Sequence, residues 1–447
     1  MNHVDIDIAS LVDDRLNQGV FRVDKRVYFD PALFELEIKR LFENNWIFLC
    51  HESQIAKPGD YFTTHAGRHP VAVVRQPDAT IRAFLNVCSH RGSVLLPFRQ
   101  GKLDGGINCR FHGWAFGMDG KCQGITLERA GGYPGGAADK QHFDLDSFAA
   151  VENYRGFIFG SLNKPPVDLR SYLGPASTFI DLFADQAPEG MEVLRGSSTY
   201  VCRHNWKMQV ENVPDGYHVP TVHRVFGTTM THREQRPGYE GMLRTETGRI
   251  VGGVKTGCYD LDHGHMLLWA DRASPEAAPI YPASERIERD LPPAMARWML
   301  KRGRNLNVFP NLVLNDLAST HMRTHRPLAP DLTEVTVWCL APIGEPDDAR
   351  YARLRKFEDF FLVTGMATSD DLVSLNIVHE GAMATQRQWI DFQRGIGTVR
   401  NGADEEAMEL GIQPLTSNTS WTHETPYHGL YRYWLRALTE NRGGQKS

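Results

Sequence analysis

Apolar residues Phe34, Ile38, Leu41 and Phe42 recur at helical spacing after Asp30-Pro31, the pattern of a helix with one face in a core. Asp30 suits the N-cap, and proline suits the first helical position, where the helix leaves the N–H unpaired in any case. From about Trp46 to about Leu162 the texture changes to short runs rich in Val, Ile, Phe and Tyr, among them DYFTTHA, HPVAVVRQ and TIRAFLNVC, punctuated by turn residues such as PDA. Such runs predict a compact antiparallel β domain. Beyond SYLGP, strand-like NLVLND, HMRTHRPL and TEVTVWCLAP alternate with the helical DARYARLRKFEDFF, where Leu354, Phe357 and Phe361 share a face. The chain is therefore expected to be α+β, an all-β domain joined to a larger mixed one.

With 447 residues, 41% hydrophobic and 23% charged, the chain has the length of two or three domains and an ordinary globular composition, which excludes disordered, collagen-like and mucin-like readings. No window approaches a membrane span, and the first twenty residues, MNHVDIDIASLVDDRLNQGV, carry acids where a signal peptide needs an apolar run. A cytoplasmic location is expected. A net charge of −5 supplies no field for a polyanion, so neither nucleic acid nor membrane is an expected partner. The seven cysteines, at 50, 88, 109, 122, 202, 258 and 339, have no small-domain disulfide spacing. A reducing compartment keeps them as thiols, and those lying beside histidines raise the question of a metal.

Cys88-Ser89-His90 and Cys109-Arg110-Phe111-His112 give C-x-H, eighteen intervening residues, then C-x-x-H. Two thiolates and two imidazoles suit zinc or a two-iron cluster. Zinc fingers usually group their cysteines and their histidines, whereas here each short loop offers one of each. That order suits a cluster in which one iron takes both sulfurs and the other both nitrogens. Gly92 and Gly113 follow the pairs and permit tight loops. Neutral imidazoles in place of two thiolates raise the potential to roughly −150 to +300 mV, against about −400 mV for all-cysteine ferredoxins. The segments CSHRG and CRFHGW resemble the two cluster loops of Rieske proteins, specifically those in the large subunits of aromatic-ring-hydroxylating dioxygenases.

A second constellation lies in NWKMQVENVPDGYHVPTVH, which contains Glu211, Asn212, Asp215, His218 and His223. On a helix Asp215 and His218 would share a side, whereas His218 and His223 would diverge by roughly 140°. Pro220 is expected to disrupt the helix and let His223 swing back. Two histidines are one ligand short of the two-His-one-carboxylate triad that leaves positions open for dioxygen at non-haem Fe(II). The segment GMATSDDLVSLNIV offers an acid: Thr368 or Ser369 as cap, with Asp370 and Asp371 in the first helical turn, where the dipole favours an ionised carboxylate. Capping alone also accounts for acids there, so the residues themselves leave both open. In the family resembled, the ligating aspartate follows a glycine by six positions, which from Gly365 implies Asp371, with Asp370 as the alternative. The resemblance also implies that Asp215 links a cluster histidine of one subunit to an iron-ligating histidine of the next, here His112 and His218.

His263 and His265 in DHGHMLLW, and His321 and His325, could each share one face of a strand; both pairs are read as core or pocket-lining residues. The resemblance runs through almost the whole chain. CHESQI, YRGFIFGSLN, HGHMLLW, RNLNVFPNL, APIGE and FEDFFLVTGMATSDDL are similar to the benzoate and anthranilate 1,2-dioxygenase branch, which includes toluate and halobenzoate enzymes. It implies a β-sheet Rieske domain at 46–162 and a catalytic domain at 163–447, with a curved antiparallel sheet covered by helices. An N-terminal helical segment, 1–45, would pack with the catalytic part. It further implies one [2Fe-2S] cluster on Cys88, His90, Cys109 and His112, and one Fe(II) on His218, His223 and Asp371.

The implied assembly has three large subunits, usually with three small β subunits, and a separate NADH-dependent flavin/iron–sulfur reductase. No G-x-G-x-x-G is evident in this chain, in keeping with nicotinamide being oxidised elsewhere. The implied reaction inserts both atoms of dioxygen into adjacent ring carbons of an aromatic carboxylate. The product is a carboxylated cis-dihydrodiol, or a catechol when an ortho amino or halo group leaves with CO2. A Rieske monooxygenase or O-demethylase, a Rieske electron carrier and a zinc-binding structural protein are the competing classes. For the substrate carboxylate, Arg203, Arg323 and Arg326 are the cations in view. Val213-Pro214 stands where small residues such as Gly-Ala are expected in the benzoate branch, a stiffer and bulkier turn beside the iron.

Overall fold

A computed structural model describes residues 6–130, 132–133, 139–236 and 254–440. It divides into two compact units, Ile38–Leu169 and a larger one made of Met1–Glu37 with Arg170–Ser447. From the sequence these divisions are expected at 45/46 and 162/163. Ile38 and Glu43 go with the smaller unit because they pack over the Gly67 turn, and Glu43 pairs with His69 there at 3.4 Å.

The smaller unit is built of antiparallel sheets. In one, the strands run in spatial order Ile81–Leu85, His69–Arg75, Asp60–Ala66 and Gln100–Lys102. The run VAVV at 71–74 is buried on both faces of its strand, which explains why it reads as continuously apolar rather than alternating. The core beneath, including Phe84, Leu95, Trp114 and Phe116, also takes in Cys88 and Cys109. Two three-stranded sheets complete the described part: Ala150–Tyr154, Phe157–Ser161 and Ile47–His51, and Cys122–Gly124, Ala115–Phe116 and Ile107–Asn108.

The larger unit is organised by a 10-stranded antiparallel sheet. Its centre runs His321–Ala329, Leu312–Asn315, Arg302–Val308, Met266–Asp271 and Thr256–Asp260. Leu332–Pro342 lies beyond His321–Ala329 and carries both Met191–Val193 and Ser198–Cys202. The helix Asp347–Phe360 turns Phe357 inward, and Phe361 follows at its C-cap; both pack with Val335 and Val337 of the sheet. No helix among the described residues is long and apolar enough to cross a membrane.

The N-terminal segment differs from its expected helical character. Val12–Arg15 and Val20–Asp24 form a hairpin that gains Trp389–Asp391 as a third strand. Phe21 and Val23 are both fully buried, a two-residue period too short to stand out in sequence. The helix follows at Pro31–Glu37, with the Asp30 carboxylate accepting from the N–H groups of Ala32 and Leu33 at 2.8 and 3.1 Å, and continues as a π-turn over Ile38–Phe42. Its last residue, Glu37, accepts from the indoles of Trp206 and Trp434 at 2.9 and 2.6 Å and pairs with Lys207 at 2.6 Å, all out of solvent. Stranding one partner of such a buried pair costs about 3–5 kcal/mol, so Glu37 fastens the first helix to the Trp206–Glu211 and Pro426–Thr439 helices.

The Pro426–Thr439 helix approaches the Thr256–Asp260 strand so closely that a Cβ on Gly429 would collide with the Asp260 carboxyl. Gly429→Ala is expected to destabilise the larger unit by about 1–3 kcal/mol through overpacking, seen as a lower midpoint of urea unfolding. Gly381→Ala is the control, since its Cβ meets open space on a helix and alanine is favoured there by up to about 1 kcal/mol. Equal midpoints for the two variants would refute the close approach.

Candidate metal centres

In the smaller unit, the two Cys/His loops have one backbone design. The Cys88 N–H donates to Ser93 O at 2.8 Å and the Gly92 N–H to Cys88 O at 2.9 Å; the Cys109 N–H donates to Trp114 O at 2.8 Å and the Gly113 N–H to Cys109 O at 2.9 Å. Gly92 and Gly113 both sit at positive φ, +74° and +72°, where other residues are strained. The loops thus match in hydrogen bonding although their histidines come two and three residues after the cysteine. They bring the His90 and His112 rings to 4.6 Å between centroids, with His90 stacked on Trp114 at 4.5 Å.

Both thiols are buried and touch each other. Burial raises Cys88 despite the His90 and Arg91 N–H groups. Cys109 is also pushed up by burial, but the Phe111 and His112 N–H groups and the Cys88 thiol outweigh that and bring it below the ordinary thiol range. Among the described residues, the buried His112 Nδ1 has no hydrogen-bond partner. Adjacent sulfurs ringed by N–H donors, beside two imidazoles, fit a two-iron cluster with sulfur on one iron and nitrogen on the other.

In the larger unit, Asn205 caps the Trp206–Glu211 helix through its side chain, and the chain then turns at Val213 and Pro214. Asp215 and His218 are not on a helix. The Asp215 Oδ1 accepts from the N–H groups of Tyr217 and His218 at 2.8 and 3.2 Å, and Oδ2 lies 3.2 Å from His218 Nδ1. Pro220 does not break the helix: it occupies the first turn of the short Val219–Val222 helix, where no N–H is needed. The break comes at His223, which ends that helix and precedes the next one, Arg224–Glu234.

The Thr368–Ala382 helix supplies the acid. Neither Thr368 nor Ser369 caps it, a correction to the sequence reading: their hydroxyls donate backward, to Phe360 O and Phe361 O and to Gly365 O, and the cap position is Ala367. Asp370 and Asp371 are both in its first turn, but only Asp371 reaches the histidines. His218 Nε2, His223 Nε2 and Asp371 Oδ1 form a triangle with sides of 3.2, 3.3 and 3.4 Å. Donors stand about that far apart when each binds one divalent ion at about 2.1 Å, so the three fit an iron. Burial works against protonation of both imidazoles. For His218 the Asp215 and Asp371 carboxylates outweigh it and the pKa rises, whereas His223 is lowered. Asp215 is lowered in spite of burial, by His218 and the two N–H groups. Glu211, from the same run, takes hydroxyl hydrogen bonds from Tyr28 and Tyr431 and is pushed by burial up to about 7.

A cleft of about 670 Å³, mouth included, opens beside the triangle. Its floor is a row of residues directly opposite one another on four strands, Leu268, Asn305, Asn315 and His321. Val213, Phe360, Phe361 and Trp421 supply apolar walls, and Arg323 a cation. Asn305 Nδ2 donates to Val213 O at 2.7 Å, so the turn singled out in the sequence touches both the cleft and its floor. The asparagines and Trp421 escape sequence reading because nothing local marks them. Of the histidine pairs, only His321 lines the cleft. His325 bonds Pro310 O, and His265 is satisfied by Tyr172 O and the Phe309 N–H. His263 sits with Asp262 and Gly264 in a positive-φ turn, not on a strand face with His265.

Residues 45–148 match the Rieske [2Fe-2S] domain and 191–440 the ring hydroxylating alpha subunit catalytic domain. Toluate 1,2-dioxygenase subunit alpha of Pseudomonas putida is 41% identical over 98% of this chain and 95% of its own length. The 2-halobenzoate 1,2-dioxygenase large subunit of Burkholderia cepacia is 37% identical over 96% and 92%, and the anthranilate 1,2-dioxygenase large subunit of Acinetobacter baylyi 35% over 97% and 93%. A solved naphthalene 1,2-dioxygenase with indole in its active site superposes with a TM-score of 0.82 at 26% identity, covering 96% of this chain and 94% of that one. The chain thus belongs to the alpha subunits of the Rieske-type aromatic-ring-hydroxylating dioxygenases, oxidoreductases that carry one [2Fe-2S] cluster and one mononuclear iron.

Proposed function

We propose that this chain is the large subunit of a terminal oxygenase that adds both atoms of dioxygen to adjacent ring carbons of an aromatic carboxylate. The product is a cis-dihydrodiol, or a catechol where an ortho amino or halo group departs with CO2. The observation that carries the reading is the His218–His223–Asp371 triangle opening onto an apolar-walled cleft. The substrate class draws on the relatives, whose names are those of toluate, 2-halobenzoate and anthranilate dioxygenases.

In this reading Cys88, His90, Cys109 and His112 hold the cluster, and His218, His223 and Asp371 hold the iron. An iron held by His218, His223 and Asp371 would supply the redox centre for dioxygen reduction. Phe360, Phe361, Val213 and Trp421 hold a ring in place and keep bulk water from it. The Asp215 carboxylate, against His218 Nδ1, fixes which ring nitrogen faces the metal. It also couples that ring to His112 of a neighbouring copy. Large subunits of this family work with a small β subunit and a reductase; here the assembly is three of each subunit, served by an NADH-dependent flavin/iron–sulfur reductase.

Turnover of benzoate under 18O-labelled dioxygen, with a surrogate reductase, tests the reaction. Two labelled oxygens in one diol are expected. A single labelled hydroxyl would make the chain a monooxygenase.

A further inference from the structure

Arg323 lines the cleft from the His321–Ala329 strand. A guanidinium has five N–H donors, yet among the described residues the Arg323 group makes one long hydrogen bond, 3.5 Å, to Gln209 O, and its Nε is buried without a partner there. Among the described residues no carboxylate lies within 4 Å of it. Asp371 shares the cleft but turns its Oδ1 to the two histidines.

The other buried or half-buried arginines of the sheet are matched. Arg304 and Arg272 face Asp316, Arg302 faces Asp271, and Arg326, three residues along the same strand, faces Glu334 at 3.8 Å. The positive charge of Arg323 is felt by its surroundings: beside the dominant effect of burial, it presses His204, His321 and His325 further towards their neutral forms. Asp215 and Asp371 line the same cleft but turn to the histidines, so the Arg323 guanidinium is left without an ion-pair partner among the described residues, a costly state for a partly buried cation. The planar fork of a guanidinium matches a carboxylate through two parallel hydrogen bonds.

We infer that Arg323 is the residue that binds the substrate's carboxylate and so orients the ring towards the His218–His223–Asp371 centre. The assignment rests on the aromatic-acid reading above and narrows it, making a ring-bound carboxylate the group the cleft selects. Arg203 and Arg326 are excluded as anchors: neither lines the cleft, and Arg326 has Glu334.

The test measures benzoate binding to the assembled, iron-loaded enzyme by anaerobic calorimetry, with cluster absorption and iron content confirming that each variant is intact. Arg323→Gln is expected to raise the Kd for benzoate by about tenfold or more, the effect of losing charge-assisted hydrogen bonds. Arg323→Lys, which keeps the charge without the fork, is expected to fall between Arg323→Gln and the wild type. Arg326→Gln is expected to leave the Kd within twofold. An unchanged benzoate Kd in Arg323→Gln, with wild-type enzyme still oxidising benzoate, overturns the anchor alone. A wild-type enzyme that oxidises an uncharged ring and neither binds nor oxidises benzoate or 2-aminobenzoate overturns the aromatic-acid reading, and the anchor with it.

Discussion

Asp371→Ala is expected to lose the mononuclear iron and all dioxygen-dependent turnover, while the visible absorption of the [2Fe-2S] cluster stays unchanged. His218 Nε2 and His223 Nε2 lie 3.4 and 3.3 Å from Asp371 Oδ1, and Asp371 supplies the one anionic donor of the three. Without it two neutral imidazoles remain, and these do not offset the desolvation of a divalent ion in a largely buried site. Loss of groups that only support a metal ligand typically costs 10–100-fold in affinity or activity, so loss of the ligand itself should exceed about 100-fold. Asp370→Ala is the internal control. It shares the first turn of the same helix but lies outside the triangle, so iron content and turnover should stay near wild type. Iron analysis per chain, beside product formation, checks both variants; retention of iron by Asp371→Ala, or its loss from Asp370→Ala, would sink the ligand assignment.

Asp215→Ala is expected to have the second largest effect, of a different kind. The carboxylate lines the cleft, but both of its oxygens turn to the segment that carries His218. One oxygen takes the Tyr217 and His218 N–H groups and the other lies against His218 Nδ1. All three triangle donors survive the substitution, so the iron should remain. On the proposed reading, the loss falls on the orientation of the His218 ring and on its coupling to the cluster of a neighbouring copy, with a cost of about 10–100-fold. The informative readout is the rate at which a chemically reduced cluster is reoxidised when substrate and dioxygen are admitted together. A local structural role alone would loosen iron and leave that rate unchanged in the molecules that keep it. Wild-type reoxidation coupled to product in Asp215→Ala would remove the bridge from the proposal.

Both cysteine–histidine loops were legible in the sequence because each is local: two donors separated by one or two residues, then a glycine, define a loop whatever surrounds it. The helix after Asp30 was legible for a similar reason, since capping and period act within a few turns. The corrections fall where two local arguments compete. Pro220 is read as a helix breaker, but a proline is equally at home in a first turn, and only the path of the chain at Asp215 shows that a helix begins at Val219. Thr368 is read as a cap, but its hydroxyl is drawn to the Phe360 and Phe361 carbonyls at the end of the preceding helix. The Val12–Asp24 hairpin gave too short a period to read, and its third strand comes from Trp389–Asp391.

By itself the sequence determined the donor types, their grouping into two centres and the alternation of a β domain with a larger mixed one, because spacing along the chain carries that information. Only the tertiary structure decided which acid joins His218 and His223 and which residues floor the cleft, because those depend on strand register and on the position of a distant helix. Arg323 and Arg326 show the difference. They are three residues apart on one strand and therefore point to opposite faces. Register sets Arg326 opposite Glu334 and Arg323 between Val313 and Val337. One charge is neutralised within the sheet, and the other is left facing the cleft.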